Sequence, residues 1–274
     1  MRVLHLQNQS DGVFRYEPHD ERHYNFPQHM HHFAELTLML DGELSISVGD
    51  RQERLKSGQF AFFHPFQVHG YSSSGIKSRF VIYTFSPSLI ADFLRETEGK
   101  TGSGNVFDAD ASTLALLESK LICKKDLSVY GIRACLYSVL SDYTRQISLT
   151  DNVTDSGALE KTVKYMNEHS GELLPIGEVA HAVGYSANYL SHLISKFFGF
   201  NYCSLLALLR VERAKQLLRS SSDTVLNIAI ECGFGSERSF HRQFRRITGR
   251  SPKEYRLVEQ LQVIELKFPA QLPE

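Results

Sequence analysis

Residues 176–186 read Ile176-Gly177-Glu178-Val179-Ala180-His181-Ala182-Val183-Gly184-Tyr185-Ser186. Residues 225–236 repeat the pattern as Val225-Leu226-Asn227-Ile228-Ala229-Ile230-Glu231-Cys232-Gly233-Phe234-Gly235-Ser236. Ile176, Val179, Ala180, Val183, Gly184 and Tyr185 align with Val225, Ile228, Ala229, Cys232, Gly233 and Phe234 at a constant spacing. After one inserted residue, Ser186 aligns with Ser236, Leu190 with Phe240, Ile194 with Phe244, Phe197 with Ile247 and Gly199 with Gly249. One structural unit is therefore written twice. In each copy an apolar face at three- and four-residue steps predicts a short helix. Ala180 or Ala229 leaves room for a neighbouring helix. Gly184 or Gly233 ends the first helix in a left-handed conformation that bulky residues avoid. Ser186 or Ser236 is placed to cap a second helix. The second helix buries Leu190, Leu193, Ile194 and Phe197 in one copy, and Phe240, Phe244 and Ile247 in the other. This is a helix-turn-helix, a shape that presents its second helix to the major groove of DNA.

Between the copies, residues 203–219 predict one helix of roughly 25 Å at 1.5 Å per residue. With loops and tilt it suits holding two reading helices about one DNA turn, roughly 34 Å, apart. Charge supports this reading locally. The whole chain carries a formal charge of −1. Yet Arg238, Arg242, Arg245, Arg246, Arg250, Lys253 and Arg256 face only Glu254 between residues 238 and 256. Such a surplus marks either a solvated helix face or a surface for polyanions. With Phe240, Phe244 and Ile247 inward, Glu237, Arg238, His241, Arg242 and Arg245 face outward. Arg238 and Arg242 project together toward base edges, and arginine grips guanine in bidentate fashion. Glu237 either accepts from cytosine, orients Arg238 or serves the helix dipole. Arg245, Arg246 and Lys196 suit phosphates. In the first copy the exposed candidates are Asn188, Ser191, His192 and Ser195.

Upstream the periodicity changes. Leu44, Ile46 and Val48 alternate with Ser45 and Ser47 as a half-buried strand should, before a Gly49-Asp50 turn. Residues 35–40, 58–63 and 80–85 are further strand candidates, and together they predict a sandwich or small barrel. After Pro87, residues 88–98, 112–124 and 128–149 predict helices. Val129, Ile132, Leu136, Val139 and Tyr143 form an apolar seam on the last, fit for the strand domain or for a dimer partner. Residues 151–157 are polar and predict a linker. No apolar run approaches the roughly 20 residues of a membrane helix, and no apolar block of a secretion signal follows Arg2. Cys123, Cys135, Cys203 and Cys232 make no C-x-x-C, so reduced thiols in a cytoplasmic protein are expected, each a small buried apolar group.

His29, His31 and Glu35 share parity, so an extended strand would point all three to one face. Gly42 and Gly58 follow, then His69 beyond Pro65. Three imidazoles and a carboxylate inside a barrel suit Zn, Ni, Fe or Mn. Tyr71, Arg79 and Tyr83 are further pocket groups. His19, His23, His32 and His64 read as surface or loop residues.

The C-terminal hundred residues resemble the DNA-binding domain of the AraC/XylS family of transcription regulators. The resemblance rests on residues 176–186, on Leu209-Arg210 with Arg213, Ala214, Leu217 and Leu218, and on Ile228-Ala229 with Gly233-Phe234. It continues through Ser239-Phe240, Arg242, Phe244-Arg245-Arg246, Gly249, Ser251-Pro252 and Tyr255-Arg256. Gly235 departs from the polar or acidic residue frequent there, and the first reading helix lacks arginines. The histidine pattern resembles the cupin signature, a fold that such regulators often carry as a sensor. Its second half departs from Pro-x-Gly-x-x-His: Pro65-Phe66-Gln67-Val68-His69 has lost the Gly and moved the Pro.

The resemblance implies two domains: an N-terminal cupin-like β-barrel followed by helices, and an all-α C-terminal domain with two helix-turn-helix units joined by a long helix. The expected bounds are 1–87 for the barrel, 88–150 for a dimerising helical extension, 151–157 for the linker and 158–258 for the DNA-binding domain. Its two units fall at about 172–198 and 221–248, and 259–274 is a tail without assigned role. It also implies double-stranded DNA, a small effector (a sugar or related metabolite first), RNA polymerase and a second copy of the chain as partners. His29, His31, Glu35, His69, Tyr71 and Tyr83 are the expected effector residues. Their roles divide three ways: effector binding first, a divalent metal on His29, His31, Glu35 and His69 second, and catalysis as in cupin enzymes last. The expected protein is thus a regulator and not an enzyme, with a metal-dependent enzyme or metal sensor fused to a DNA-binding module as the alternative. Arg242→Ala is expected to relax or abolish sequence preference with the fold intact; unchanged operator affinity and specificity in a binding assay would put the helix facing wrong.

Overall fold

A computed structural model describes residues 3–4, 14–73, 75–122, 128–151 and 154–265. The chain divides into two compact units, with the boundary between Lys164 and Tyr165.

The first unit opens with strands β1 (Val3–Leu4), β2 (Phe14–Glu21), β3 (Asn25–Met30), β4 (Ala34–Asp41), β5 (Glu43–Val48), β6 (Arg51–Lys56), β7 (Gln59–Phe63), β8 (His69–Ser73) and β9 (Ser78–Phe85). A 3-10 turn (Pro87–Ile90) leads to α1 (Ala91–Glu96), β10 (Lys100–Gly102), β11 (Val106–Asp108) and α2 (Ala111–Leu117). After a π-turn at Glu118–Ile122 come α3 (Val129–Gln146) and β12 (Leu149–Asp151). One five-stranded sheet has the order β1-β3-β8-β5-β6 and the other β11-β7-β4-β9-β2, with β10 and β12 as a separate pair. Leu44, Ile46 and Tyr71 of the first sheet share a core with Met39, Phe63, Phe80 and Ile82 of the second. This is the face-to-face packing expected of two sheets with alternating inward residues.

The second sheet is covered on its other side as well. Leu36, Leu38, Phe60, Phe62, Val81 and Tyr83 pack with Phe93, Leu136, Val139 and Tyr143. That explains why β4 and β9 lack clean alternation: both faces are buried. It also settles the apolar seam of α3, because Leu136, Val139 and Tyr143 are spent on the chain's own sheet. Of the large apolar residues of α3, Val129 and Tyr130 at its start stand exposed.

The strand domain runs past residue 87. β11 pairs with β7 through Val106↔Ala61 and Phe107↔Phe60. The expected linker is shorter than 151–157: Asp151 pairs with Lys100, and α4 (Asp155–Glu168) begins at Asp155. Asn152 and Val153 lie outside the described residues. Cys135 and Cys232 are buried as expected, whereas Cys203 is exposed; Cys123 lies outside the described residues. The expected tail is helical to Glu265, and residues 266–274 lie outside the described residues.

The second unit continues with α5 (Ile176–Val183), α6 (Ala187–Phe198), α7 (Tyr202–Ser220), α8 (Val225–Glu231), α9 (Glu237–Thr248) and α10 (Pro252–Glu265). Gly184 and Gly233 hold φ of 82° and 76°, the left-handed values their turns require. A Cβ on Gly233 would also stand 2.8 Å from the Gly171 carbonyl oxygen. Ser186 Oγ accepts from Tyr189 N, and Ser236 Oγ from Ser239 N, each at 3.2 Å. Ser251 and Glu254 form a reciprocal capping box at the start of α10: Ser251 N donates to Glu254 Oε2 at 2.7 Å and Glu254 N to Ser251 Oγ at 3.3 Å. Val211, Ala214 and Leu218 of α7 close the second helix-turn-helix core with Ile228, Ala229, Phe240, Phe244 and Tyr255.

Leu136→Ala is expected to destabilise the first unit by about 2–5 kcal/mol in urea unfolding, the range for a buried leucine, with association of the folded protein unchanged. A folded variant altered only in its association state would place Leu136 at a subunit contact instead.

Candidate functional site

In α9 the sequence sets Phe240 and Phe244 four apart, and both are fully buried. The 3.6-residue period then turns Glu237, Arg238, Arg242, Arg245 and Arg246 outward, where all five are exposed. His241 is half-buried, and its Nε2 lies 3.5 Å from Glu237 Oε1. Glu237 therefore faces His241 along the helix rather than Arg238. In α6, Asn188, His192, Ser195 and Lys196 are exposed and Ser191 is half-buried.

Several basic residues near these helices have structural work. Arg256 donates from Nε to the Leu218 carbonyl at 3.3 Å and from a guanidinium NH2 to the Asp223 carbonyl at 2.7 Å. Arg210 does the same for Ser170 and Glu172 at 2.8 and 2.7 Å. Arg256 thus leaves the pool of cations that the local surplus placed on the surface for DNA. The exposed basic residues of the two helices are then Arg238, Arg242, Arg245 and Arg246 on α9 and Lys196 on α6.

The second constellation lies in the strand domain. His29, His31, Glu35 and His69 are all buried, at 5%, 6%, 5% and 1% exposure. Their ligand-capable atoms lie within 4.8 Å of one another. Strand parity alone does not gather them. His29 belongs to β3 of the first sheet and Glu35 to β4 of the second, with His31 in the turn between the sheets. His69 opens β8 and sits directly opposite His29 in the β3–β8 pairing.

Each imidazole is oriented from behind. His29 Nδ1 lies 3.1 Å from the Pro27 carbonyl oxygen, His31 Nδ1 3.2 Å from that of Phe33, and His69 Nδ1 2.8 Å from that of Gln67. A carbonyl only accepts, so each Nδ1 carries a proton, and a neutral ring of that tautomer keeps a lone pair on Nε2. His31 Nε2 lies 3.1 Å from Glu35 Oε2, and His69 Nε2 lies 3.4 Å from Glu35 Oε1. His69 Nε2 is buried without a hydrogen-bond partner among the described residues. Lone pairs and a carboxylate brought together in an apolar interior repel unless a cation stands among them.

The surroundings sharpen that demand. Burial, and then the charge of His69, pull His29 down to about 2. Burial pushes Glu35 up, but the adjacent His69 and His31 imidazoles outweigh it and hold the carboxyl well below its usual range. Tyr71 is pushed well up by burial and by Glu35, so it keeps its proton and donates to Glu35 Oε1 at 2.5 Å. Thr37 Oγ1 lies 2.7 Å from the Tyr71 hydroxyl. Oriented imidazoles, a supported carboxylate and an orphaned buried nitrogen fit a divalent transition metal, with nitrogen and oxygen donors of the kind Zn, Ni, Fe and Mn accept.

Tyr71 thus joins the cluster, and Thr37 is the member that sequence reading missed; its hydroxyl on an inward β4 position was the available signal. Tyr83 does not join. It points from β9 to the opposite face of the sheet, among Leu36, Phe85 and Cys135. Arg79 is exposed and pairs with Asp41 at 4.0 Å. His64, expected at the surface, packs its ring against Phe62, Phe93 and Tyr143, and burial pulls it down to about 4. The glycine missing from the cupin-like motif falls at Phe66, which nevertheless adopts φ of 64°. Phe66 is the one non-glycine residue with positive φ among the described residues, and a bulky side chain there is strained.

Among the described residues no single helix is long and apolar enough to cross a membrane. A family model for an AraC-like ligand binding domain matches residues 12–124, and one for a helix-turn-helix domain matches residues 179–257. The HTH-type transcriptional activator RhaS of Escherichia fergusonii is 25% identical over 245 residues, covering 84% of this chain and 87% of that protein. An uncharacterized HTH-type transcriptional regulator of Staphylococcus aureus (strain COL) is 30% identical over 105 residues. That match takes in 38% of this chain but spans only 14% of the Staphylococcus protein's length. The crystal structure of unsaturated fatty acid bound wild-type ToxT from Vibrio cholerae strain SCE256 shares the fold, with a TM-score of 0.50 at 12% identity over 92% of this chain and 96% of that one. With a ligand-binding domain matched ahead of a helix-turn-helix domain, and the RhaS activator matched along 87% of its length, the chain belongs to the AraC-type family of helix-turn-helix transcription regulators.

Proposed function

We propose that the protein binds specific DNA sites through α6 and α9 and regulates transcription from them. In this reading its strand domain senses a ligand at His29, His31, Glu35 and His69. The observation that carries the DNA reading is the duplicated unit whose second copy buries Phe240 and Phe244 while exposing Arg238, Arg242, Arg245 and Arg246. Arg238 and Arg242 read bases. Arg245, Arg246 and Lys196 meet phosphates, and Asn188, Ser191, His192 and Ser195 form the weaker first reader, with Glu237 and His241 paired beside the bases.

At the cluster the geometry favours a metal ion over a sugar. Four donor atoms within 4.8 Å of one another leave a space of ionic size, whereas a sugar ring would have to push them apart. A divalent ion there would neutralise the converging lone pairs, and Tyr71 would hold Glu35 in place. A sugar or related effector belongs beside the cluster rather than inside it. RNA polymerase and a second copy of the chain are the protein partners this reading carries. With Leu136, Val139 and Tyr143 spent inside the chain, Val129 and Tyr130 are the exposed large apolar residues of α3 that would serve a dimer contact.

Arg245→Ala and Arg246→Ala are each expected to weaken binding uniformly across sequences and to lower the slope of log affinity against log salt by about 1. Purified protein is expected to carry about one equivalent of Zn, Ni, Fe or Mn per chain, measured by elemental analysis, and folded His31→Ala to lose it. Operator affinity and promoter output that ignore both chelation and His31→Ala would remove the sensor role.

A further inference from the structure

The loop between β7 and β8 connects the cluster to a helix outside it. On the cluster side, Phe66 N donates to the His31 carbonyl at 2.7 Å, and the Gln67 carbonyl takes the Nδ1 proton of His69 at 2.8 Å. On the other side, Val68 N donates to Glu160 Oε1 at 3.3 Å. The Gln67 carbonyl and the Val68 N–H belong to one peptide group, and a peptide group is planar. A rotation of that plane to follow the His69 ring therefore moves the bond to Glu160 as well.

The loop is not free to absorb such a rotation elsewhere. Gln67 Oε1 accepts from His64 N at 3.1 Å and from Asn105 Nδ2 at 3.0 Å. Val68 O accepts from Gly49 N at 3.0 Å. Phe66 already sits in the left-handed region, where its backbone has little room. Glu160 lies in α4, an unbroken helix from Asp155 to Glu168. Its residues up to Lys164 belong to the first unit and its last turn to the second. Lys164 Nζ, bonded to Glu98 Oε1 at 2.7 Å, is a second and exposed fastening of the same helix within the first unit.

We propose that the Gln67–Val68 peptide and the Glu160 carboxylate form the coupling contact that passes the state of the His29–His31–Glu35–His69 site to α4, and through that helix to the DNA-binding unit. Glu160 is a positioning residue in this scheme: it touches neither the ligand nor DNA. The inference rests on the reading of the cluster as a metal-sensing site. Its physical content is that ligand-bound and ligand-free clusters hold the His69 ring differently, so they differ in the strength of the Val68–Glu160 bond, and only such a difference can shift an equilibrium.

The test uses full-length protein and measures operator affinity by fluorescence anisotropy, zinc-loaded and after chelation. The readout is the ratio of the two affinities. In the unaltered chain this ratio is expected to depart from one by about fivefold or more, as couplings of this kind do. Glu160→Ala is expected to bring it close to one while leaving zinc content, melting temperature of the zinc-loaded form and chelated operator affinity unchanged. Glu160→Gln keeps an oxygen acceptor without the charge that strengthens the bond, so its ratio should fall between the two. Lys164→Ala, which removes the exposed fastening alone, should keep the full ratio. A wild-type ratio of one overturns the metal-sensing reading and this coupling together. A wild-type ratio away from one that Glu160→Ala leaves intact overturns the coupling alone, and so does an unchanged ratio in Glu160→Gln should the alanine variant fail to fold.

Discussion

Strand β4 sends Glu35, Thr37 and Met39 to one side of its sheet and Leu36 and Leu38 to the other, and both sides are buried. Met39 lies in the core between the two sheets, and Leu36 and Leu38 lie in the layer beneath α3. A slip of one residue would exchange these sets and drive a carboxylate into the helix layer. The register of β4 is therefore fixed by burial on two faces at once, and the position of Glu35 follows from it. The opposing sheet brings His29 and His69 side by side as a cross-strand pair, and the turn between β3 and β4 supplies His31.

The cluster then poses an electrostatic problem that the rest of the domain does not solve by itself. Backbone carbonyls of Pro27, Phe33 and Gln67 fix the imidazole protons on the outer nitrogens. The inner nitrogens and the carboxylate meet in a dry interior, where an isolated charge is costly. Tyr71, backed by Thr37, donates one hydrogen bond to Glu35, which satisfies one oxygen and orients the group. The strain at Phe66 lies in the same loop that presents His69. Strained backbone concentrates where surrounding structure over-determines it, and here the His31 carbonyl, Gln67 and Glu160 supply that constraint.

The second unit rests on a different periodicity and the same logic. Its buried stripe of Phe240 and Phe244 leaves the arginines of α9 no place but the surface. Positively charged residues nearby divide by partner: Arg210 and Arg256 close helix ends through backbone carbonyls, whereas Arg238, Arg242, Arg245 and Arg246 remain exposed. Composition cannot distinguish these two kinds of arginine, because the difference lies in which carbonyls stand within reach.

The sequence by itself determined the duplicated helix-turn-helix, its glycine turns and serine caps, and the outward arginines, because each depends on contacts within a few residues or on a short helical period. It also marked four strands and nominated His29, His31, Glu35 and His69 through their types and spacing. Tertiary structure decided the rest. It gave the α3 seam to the chain's own sheet, carried the strand domain past residue 87 through β11, and drew in Thr37 while turning Tyr83 away. It moved His64 inside and set Glu160 against the loop that holds His69. Those outcomes depend on contacts between distant residues, such as Thr37 with Tyr71 at 34 positions and Val68 with Glu160 at 92 positions apart in the chain. A local pattern reports which side of an element is apolar, but only the closed fold determines which apolar surface, carbonyl or carboxylate it meets there.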